Sequence, residues 1–210
     1  MNDAKPRIRV DVWSDVQCIW CYISSARLRT AIAQHPGPVD VHYHSFQLTP
    51  EAAVDINRDA HIRSHTVDQG RMQQVLTQLR QLTAAEGLDY DPDRTQPTNS
   101  HQALELLHYA GTLGKRAELT DRLFAAYFAH GRHVGHIDEL LAVAAEGGLD
   151  PKETRAVLLD RRYADDVDQD MRQAKNLGAR GVPFYVIDST WGLSGAQPVD
   201  QFLAAFERAG

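Results

Sequence analysis

The spacing of hydrophobic and polar positions changes twice along the chain. Near the N-terminus, Ile8–Ser14 and Val39–Phe46 have the period of two that is typical of β-strands. The segment between them, from about Cys18 to Gln34, is predicted to be helical and to end at the Pro- and Gly-containing residues 35–38. A strand, a helix and a strand in this order predict a βαβ unit with a right-handed crossover.

The middle of the chain, from Thr49 to about Leu177, has helical spacing, and Gly and Pro separate its segments. Helices are predicted over residues 66–86, 100–110, 115–130, 137–146 and 150–159, with a further one reaching residue 178. The clearest start signal is Asp150-Pro151-Lys152-Glu153, which supplies an N-cap, a proline at the first helical position and a glutamate three residues after the cap.

The C-terminal part returns to β spacing. Residues 181–188 predict a short strand, residues 191–195 a weaker one, and residues 198–208 a closing helix. The helical middle is far longer than a loop of a compact fold. We therefore predict an α/β fold in which residues 1–48 and 178–210 form one discontinuous sheet domain, and residues 49–177 form an inserted all-α domain.

The composition is that of an ordinary globular protein, with 43% apolar and 24% charged residues among 210. A net charge of -6, without a cluster of Lys and Arg, argues against nucleic-acid binding. No apolar stretch has the length of a membrane span, and the first residues contain no apolar signal region. These features predict a cytoplasmic protein without a membrane partner.

Both cysteines of the chain, Cys18 and Cys21, lie at the junction between the first strand and the first helix. A Cys-x-x-Cys in this place is typical of a thioredoxin-like redox site. A thiol at a helix N-terminus lies against unpaired N–H groups and the positive end of the helix dipole, and both favour the thiolate that attacks disulfides. We expect Cys18 to be the exposed nucleophile and Cys21 the more buried resolving thiol.

No metal site is predicted. Zinc at the Cys pair would need two further ligands, and a second Cys pair is absent. Three of the ten histidines, His130, His133 and His136, are spaced three apart, but glycines interrupt the run, so no helix face aligns the rings and we expect a polar loop between helices. His42 and His44 fall on one face of the second strand and are expected to be exposed to solvent.

Asp15 precedes Cys18 by three residues. Its carboxylate could assist proton transfer from Cys21, repel a thiolate, or cap the turn into the first helix, and we favour the cap. Val182-Pro183 lies at the entry to the third predicted strand, where a thioredoxin-like fold places a cis-proline against the Cys pair. A trans-proline at the start of an edge strand is the alternative. With the bond in the cis form, we expect Trp20 and the Val182-Pro183 backbone to hold the partner chain.

The chain resembles DsbA-like thioredoxin-fold proteins, and specifically their FrnE-like cytoplasmic branch. The segments that carry this resemblance span most of the sequence and occur in the same order: Ser14-Asp15, Cys18-Ile19-Trp20-Cys21-Tyr22-Ile23, Asn99 with His101, Leu123–Phe128, Gly178–Phe184 and Ser194–Pro198. The resemblance implies a thioredoxin fold with an inserted helical domain and thiol–disulfide oxidoreductase or isomerase activity. It also implies a redox pair at Cys18 and Cys21, a cis-Pro183, and structural roles for Asn99 and His101.

The sequence departs from this family in two respects. Ile19 stands where the family commonly has proline. Isoleucine, unlike proline, has a backbone N–H beside the sulfurs, so the resemblance does not fix the reduction potential of the Cys pair. A second Cys pair, which some members carry, is absent from the chain, so a relay of electrons between two internal pairs is excluded.

Three functions are compatible with these features. The first is a thiol–disulfide oxidoreductase that needs no cofactor and acts on a disulfide- or dithiol-containing protein. The second is a reductase, transferase or isomerase that uses glutathione, mycothiol or a similar small thiol, resembling kappa-class glutathione transferases and 2-hydroxychromene-2-carboxylate isomerases. The third is a non-catalytic binding module, which the intact Cys pair argues against. A homodimer is compatible with any of them.

Overall fold

The computed structural model describes residues 7–65 and 68–209. In chain order, the described elements are β1 (Ile8–Ser14), α1 (Ile19–Gln34), β2 (Val39–Ser45), α2 (Arg58–His65), α3 (Gln69–Ala85), α4 (His101–Thr112), α5 (Arg116–Phe128), α6 (Ile137–Glu146), α7 (Pro151–Leu159), α8 (Ala164–Asn176), β3 (Phe184–Ile187), β4 (Trp191–Ser194) and α9 (Val199–Ala209). Across these ranges, none of the helices has the length and apolar character needed to cross a bilayer.

The chain divides into two compact units, one formed by Met1–Leu48 with Asp168–Gly210 and the other by Thr49–Val167. The first unit contains a four-stranded sheet in the order β2-β1-β3-β4. β1 is parallel to β2, which α1 connects to it, and antiparallel to β3, while β3 and β4 form an antiparallel pair. This arrangement confirms the predicted α/β fold with an opening βαβ unit and a closing ββα unit.

The two faces of β1 are covered by different elements. One face presents Ile8, Val10 and Val12 to a buried cluster with residues of α1, β3 and α9. The opposite face presents Trp13, which packs with Phe184 and with Ala174 of α8. Because the later part of α8 covers this face, the second boundary between the units follows Val167, whereas the sequence analysis placed it after residue 177.

The second unit is helical, and α4, α5, α6 and α7 pack against one another. Its core is apolar and includes the fully buried Leu104, Leu106, Leu119, Leu123, Phe124, Leu140 and Leu158. α6 has the predicted bounds, and the predicted start of α7 is confirmed because the Asp150 carboxylate accepts a hydrogen bond from the Glu153 N–H at 2.7 Å.

The start of the second unit differs from the prediction. The helix α2 was not predicted, since its sequence is polar and lacks an apolar period. Its first turn is capped by Asn57, whose side-chain oxygen accepts a hydrogen bond from the Ala60 N–H at 2.9 Å. Residue 66, the predicted first residue of the next helix, lies outside the described residues.

Candidate active site

A tight turn connects β1 to α1, and Asp15 organises it. Its carbonyl oxygen accepts a hydrogen bond from the Cys18 N–H at 3.0 Å. Its carboxylate accepts from the N–H groups of Gln17, at 3.2 Å, and Leu48, at 2.8 Å. Asp15 therefore caps the turn, as the sequence analysis favoured, and the N-cap of α1 is Cys18 itself.

Cys18 lies at the N-terminal, positive end of the α1 dipole. Its backbone is extended, with φ -88° and ψ 108°, so its side chain turns back over the first helical turn. The N–H of Cys21 is directed at both the Cys18 carbonyl oxygen, at 2.9 Å, and the Cys18 Sγ atom, at 3.4 Å. Because the two cysteines are three residues apart, the backbone N–H of Cys21 can donate a hydrogen bond to the Cys18 sulfur.

The segment before β3 lies against Cys18. Antiparallel pairing sets Phe184 opposite Trp13, so the preceding residues reach the end of β1 from which the turn departs. The Cys18 thiol donates a hydrogen bond to the Val182 carbonyl oxygen at 3.4 Å. The Val182-Pro183 peptide bond is cis, which confirms that prediction. Residues from the two ends of the chain therefore meet at one sulfur.

Both cysteines are free thiols, and both are buried. Cys18 is 5% exposed and Cys21 is 3% exposed, so the expectation that Cys18 is exposed is wrong. The reason is that the Cys18 side chain lies over the first turn of α1 with the Val182 carbonyl group against its sulfur. The two thiols differ in their chemical surroundings and hardly at all in exposed area.

The surroundings of Cys21 keep it protonated. Burial, together with the hydrogen bond and the charge of Cys18, raises the pKa of the Cys21 thiol well above its usual value. The side chain of Ser14 and the backbone of Asp15 act in the opposite direction but do not outweigh these effects. Cys21 therefore stays a thiol at neutral pH, able to donate its S–H to a negative charge on Cys18.

The model of the DSBA-like thioredoxin domain matches residues 9–207, which is nearly the whole chain. This chain is a member of the DSBA-like thioredoxin domain family. It is 37% identical to the probable DsbA oxidoreductase SCO1869 of Streptomyces coelicolor, with a TM-score of 0.91 over 96% of this chain and 89% of that one.

Two more distant similarities also cover most of the chain. The chain is 25% identical to the uncharacterized protein YwbO of Bacillus subtilis (strain 168), over 87% of this chain and 88% of that protein. It also shares the fold of the cytosolic disulfide reductase DsbM of Pseudomonas aeruginosa, solved with GSH, at 20% identity and a TM-score of 0.68 over 95% and 98% of the two chains.

A buried pair of hydroxyl groups lies near Cys18 and Cys21. The Ser24 and Tyr185 hydroxyl oxygens are 2.6 Å apart, and burial strongly raises the pKa of Tyr185, so that the phenol is neutral. This pair is not among the residues predicted from the sequence. A signal existed for one member, because Ser24 follows Cys21 by three residues and falls on the same face of α1.

Four more residues have a predicted role: Trp20 and Pro183 in substrate binding, and Asn99 and His101 in the structure of the helical unit. Trp20 is 44% exposed, whereas Pro183 is buried and its carbonyl oxygen accepts a hydrogen bond from the Gly195 N–H at 2.8 Å. In the second unit, the Asn99 side chain donates to the Ala52 carbonyl oxygen at 2.8 Å, and His101 Nδ1 lies 2.9 Å from a carboxylate oxygen of the buried Glu105. The last two contacts agree with structural roles.

The expectation that His44 is exposed to solvent is wrong, whereas His133 and His136 lie in a loop between α5 and α6, as expected. His44 is not a solvent-exposed residue: its ring lies between the carboxylates of Asp11 and Asp170, at 2.8 and 2.9 Å. This pairing could not be read from the strand pattern, because Asp170 comes from α8. His133 and His136 have stacked rings with centroids 3.7 Å apart, although glycines interrupt their run. They align because the His136 N–H closes a turn onto the His133 carbonyl oxygen at 2.9 Å.

Proposed function

We propose that the protein is a thiol–disulfide oxidoreductase in which Cys18 is the attacking thiol and Cys21 the resolving thiol. The observation that carries this proposal is the chemical asymmetry of the pair. Cys18 Sγ has a backbone N–H donor at a helix N-terminus, while Cys21 is a buried thiol with a raised pKa. A helix N-terminus stabilises a thiolate, so negative charge on the pair belongs on Cys18.

The proposed reaction has two exchange steps. The Cys18 thiolate attacks one sulfur of a substrate disulfide, that S–S bond breaks, and the departing sulfur leaves as a thiolate that takes up a proton. Cys21 then loses its proton and attacks Cys18 Sγ, and the second substrate sulfur leaves. The substrate ends as a dithiol and the protein as a Cys18–Cys21 disulfide. Two molecules of an external thiol then reduce the Cys18–Cys21 disulfide and leave as their own disulfide, and the reverse of the two exchange steps oxidises a substrate dithiol.

In the proposed reaction, the substrate contacts Trp20 and the Val182-Pro183 backbone. Trp20 offers an exposed aromatic surface two residues from the attacking sulfur, and Val182 has a backbone carbonyl group at that sulfur. The partner is a protein disulfide or dithiol, and a small thiol such as glutathione or mycothiol serves as the external reductant.

Trapping of the mixed disulfide tests the assignment of roles. The chain has two cysteines, so each single Cys→Ser variant leaves one thiol that can form an adduct. Incubation of the Cys21→Ser variant with insulin is expected to give a stable adduct at Cys18, detected by intact-mass spectrometry. The matched Cys18→Ser variant is expected to give little adduct, because burial raises the pKa of its remaining thiol and keeps it protonated.

The outcomes separate the candidate functions. An adduct formed only by the Cys18→Ser variant would reverse the two roles. Insulin reduction in dithiothreitol, glutathione or mycothiol that is the same with and without the protein would contradict the oxidoreductase proposal. Small-thiol binding with activity that survives Cys18→Ala would instead favour a thiol-dependent transferase or isomerase.

The role of Trp20 is tested against a tryptophan of equal exposure. Trp20 is 44% exposed and Trp191, on β4, is 45% exposed. Trp20→Ala is expected to raise KM for reduction of a protein disulfide about 3–10-fold while hardly changing the rate with a small aromatic disulfide, since about 1 kcal/mol of aromatic contact is lost only with the larger partner. Trp191→Ala is the control, and equal effects of both substitutions would refute a specific role for Trp20.

A further inference from the structure

Three potential metal-ligating side chains meet in the second unit, in a cluster formed by Asp55, His133 and His136. One potential ligand atom from each side chain lies within 4.8 Å of the other two. Asp55 Oδ1 is 2.7 Å from His136 Nε2 and 3.9 Å from His133 Nε2. The carboxylate comes from the segment before α2 and the imidazoles from the loop before α6, so the cluster joins segments that are far apart in sequence.

The backbone around this cluster is closely fixed. The Thr98 hydroxyl donates a hydrogen bond to the Val54 carbonyl oxygen at 2.7 Å, which holds the residue before Asp55. Gly135, between the two histidines, lies so close to Thr98 that a Cβ atom there would clash with the Thr98 hydroxyl oxygen. Thr98 therefore contacts both ligand-bearing segments and sets the distance between them.

One atom of the cluster is not accounted for by structural hydrogen bonding. Within the described part of the chain, Nδ1 of His133 is buried and has no hydrogen-bond partner. Buried side-chain nitrogens of structural residues are normally bonded. The other ring nitrogen of His133, Nε2, lies 3.9 Å from Asp55 Oδ1.

We propose that Asp55, His133 and His136 bind a divalent transition-metal ion, such as Zn²⁺, Ni²⁺ or Co²⁺. Two imidazoles and one carboxylate are a ligand set that these ions accept, with water in the remaining positions. All three ligands belong to the unit Thr49–Val167, whereas both cysteines belong to the other unit.

Binding requires a small rearrangement that the exposed members of the cluster permit. Ligand atoms around one such ion lie roughly 3–3.5 Å apart, so the Asp55–His136 contact lengthens and His133 moves closer. The two rings are parallel within 12°, and one of them must rotate about its Cβ–Cγ bond for both nitrogens to face the ion. The His136 side chain is 47% exposed and that of Asp55 83% exposed, which leaves both able to move.

Calorimetric titration with ZnCl2 tests the proposal. The protein is untagged, treated with a chelator and dialysed, and it carries Cys18→Ser and Cys21→Ser, so that thiols do not compete for the ion. We expect one ion per chain. His133→Ala, His136→Ala and Asp55→Asn should each weaken binding about tenfold or more. His130→Ala, on the same loop but outside the cluster, is the matched control and should leave binding unchanged.

Thermal unfolding gives a second readout. ZnCl2 should raise the unfolding temperature of the parent protein and of His130→Ala, but not that of Asp55→Asn. Because Asp55 is largely exposed, Asp55→Asn is expected to fold normally even if a histidine variant does not. Absence of binding by Zn²⁺, Ni²⁺ and Co²⁺, or equal affinity of the parent and Asp55→Asn, would overturn the proposal. An equal loss of affinity in His130→Ala would overturn it as well.

Discussion

The imidazole of His44 lies parallel to the indole of Trp13, with ring centroids 4.4 Å apart and an angle of 16° between the planes. The indole N–H donates a hydrogen bond to the Asp170 carbonyl oxygen at 3.1 Å, and the Asp170 carboxylate accepts one from the Ser45 N–H at 2.7 Å. These contacts connect β1, β2 and α8 on the face of the sheet opposite α1 and α9. His44 Nδ1 also lies 2.9 Å from the Asp170 carboxylate, so its ring is part of what holds α8 on the sheet.

This arrangement predicts a pH-dependent contribution to stability. Burial by itself favours the neutral ring of His44, but the hydrogen bonds and charges of Asp170 and Asp11 outweigh it and raise its pKa above 6.5. Burial likewise opposes ionisation of Asp11, but Arg9 and His44 outweigh it and lower its pKa below 3.8. The His44 contribution is complete below pH 6.5 and is lost as pH rises through the raised pKa. The Asp11 contribution is complete above pH 3.8 and is lost as pH falls through the lowered pKa.

Urea unfolding of His44→Gln measures this contribution. Near pH 6 the variant is expected to be about 1–3 kcal/mol less stable than the parent, and the difference should shrink towards about pH 9. His42→Gln, an exposed position on the same strand, is the control and should change the free energy of unfolding by less than about 0.5 kcal/mol. A stability difference for His44→Gln that is constant with pH would contradict the ion-pair interpretation.

The buried hydroxyl pair of Ser24 and Tyr185 predicts energetic coupling between α1 and β3. Tyr185→Phe leaves the Ser24 hydroxyl without its partner at 2.6 Å and should lower the free energy of unfolding by roughly 1–3 kcal/mol. A double-mutant cycle with Ser24→Ala should give a coupling energy of at least about 0.5 kcal/mol. Additive effects of the two substitutions would show that the hydrogen bond contributes little.

The N-cap of α7 predicts a loss of stability in the second unit. Asp150→Ala removes the acceptor of the Glu153 N–H and should cost about 1 kcal/mol, measured by urea unfolding. Lys152→Ala alters an exposed residue in the same first turn and is expected to change stability by less than about 0.5 kcal/mol. If both substitutions had equal effects, the cap would not be the cause.

Alanine substitutions at two glycines near the end of α4 are predicted to change the stability of the protein in opposite directions. Gly111 is helical, and a Cβ atom there would meet only the Arg116 side chain, at 3.5 Å, so Gly111→Ala should stabilise the protein by roughly 0.5–1 kcal/mol. Gly114 has φ +70° just beyond the helix, so Gly114→Ala should destabilise it by about 1 kcal/mol. Changes of the same sign in thermal unfolding would contradict this contrast.

Local signals in the sequence were sufficient to predict several elements of both units. The bounds of β1 and α6 and the start of α7 follow from periodicity and capping, which act within a few residues. The place of Cys18 at the mouth of α1 follows in the same way. Resemblance to a known family then supplied what periodicity could not, namely that the segment of the cis Val182-Pro183 bond reaches Cys18, whose sulfur contacts the Val182 carbonyl oxygen across 164 residues of sequence.

By itself, the sequence determined the α/β order of elements, the strand-to-helix position of the two thiols and the long helical insertion, because each depends on hydrophobic period or turn chemistry within one segment. Only the tertiary structure decided that Cys18 is buried, that His44 is held by Asp170, and that His133 and His136 meet Asp55. The physical reason is that exposure and charge pairing depend on atoms from distant segments, and alternation along one strand does not show which element covers its face.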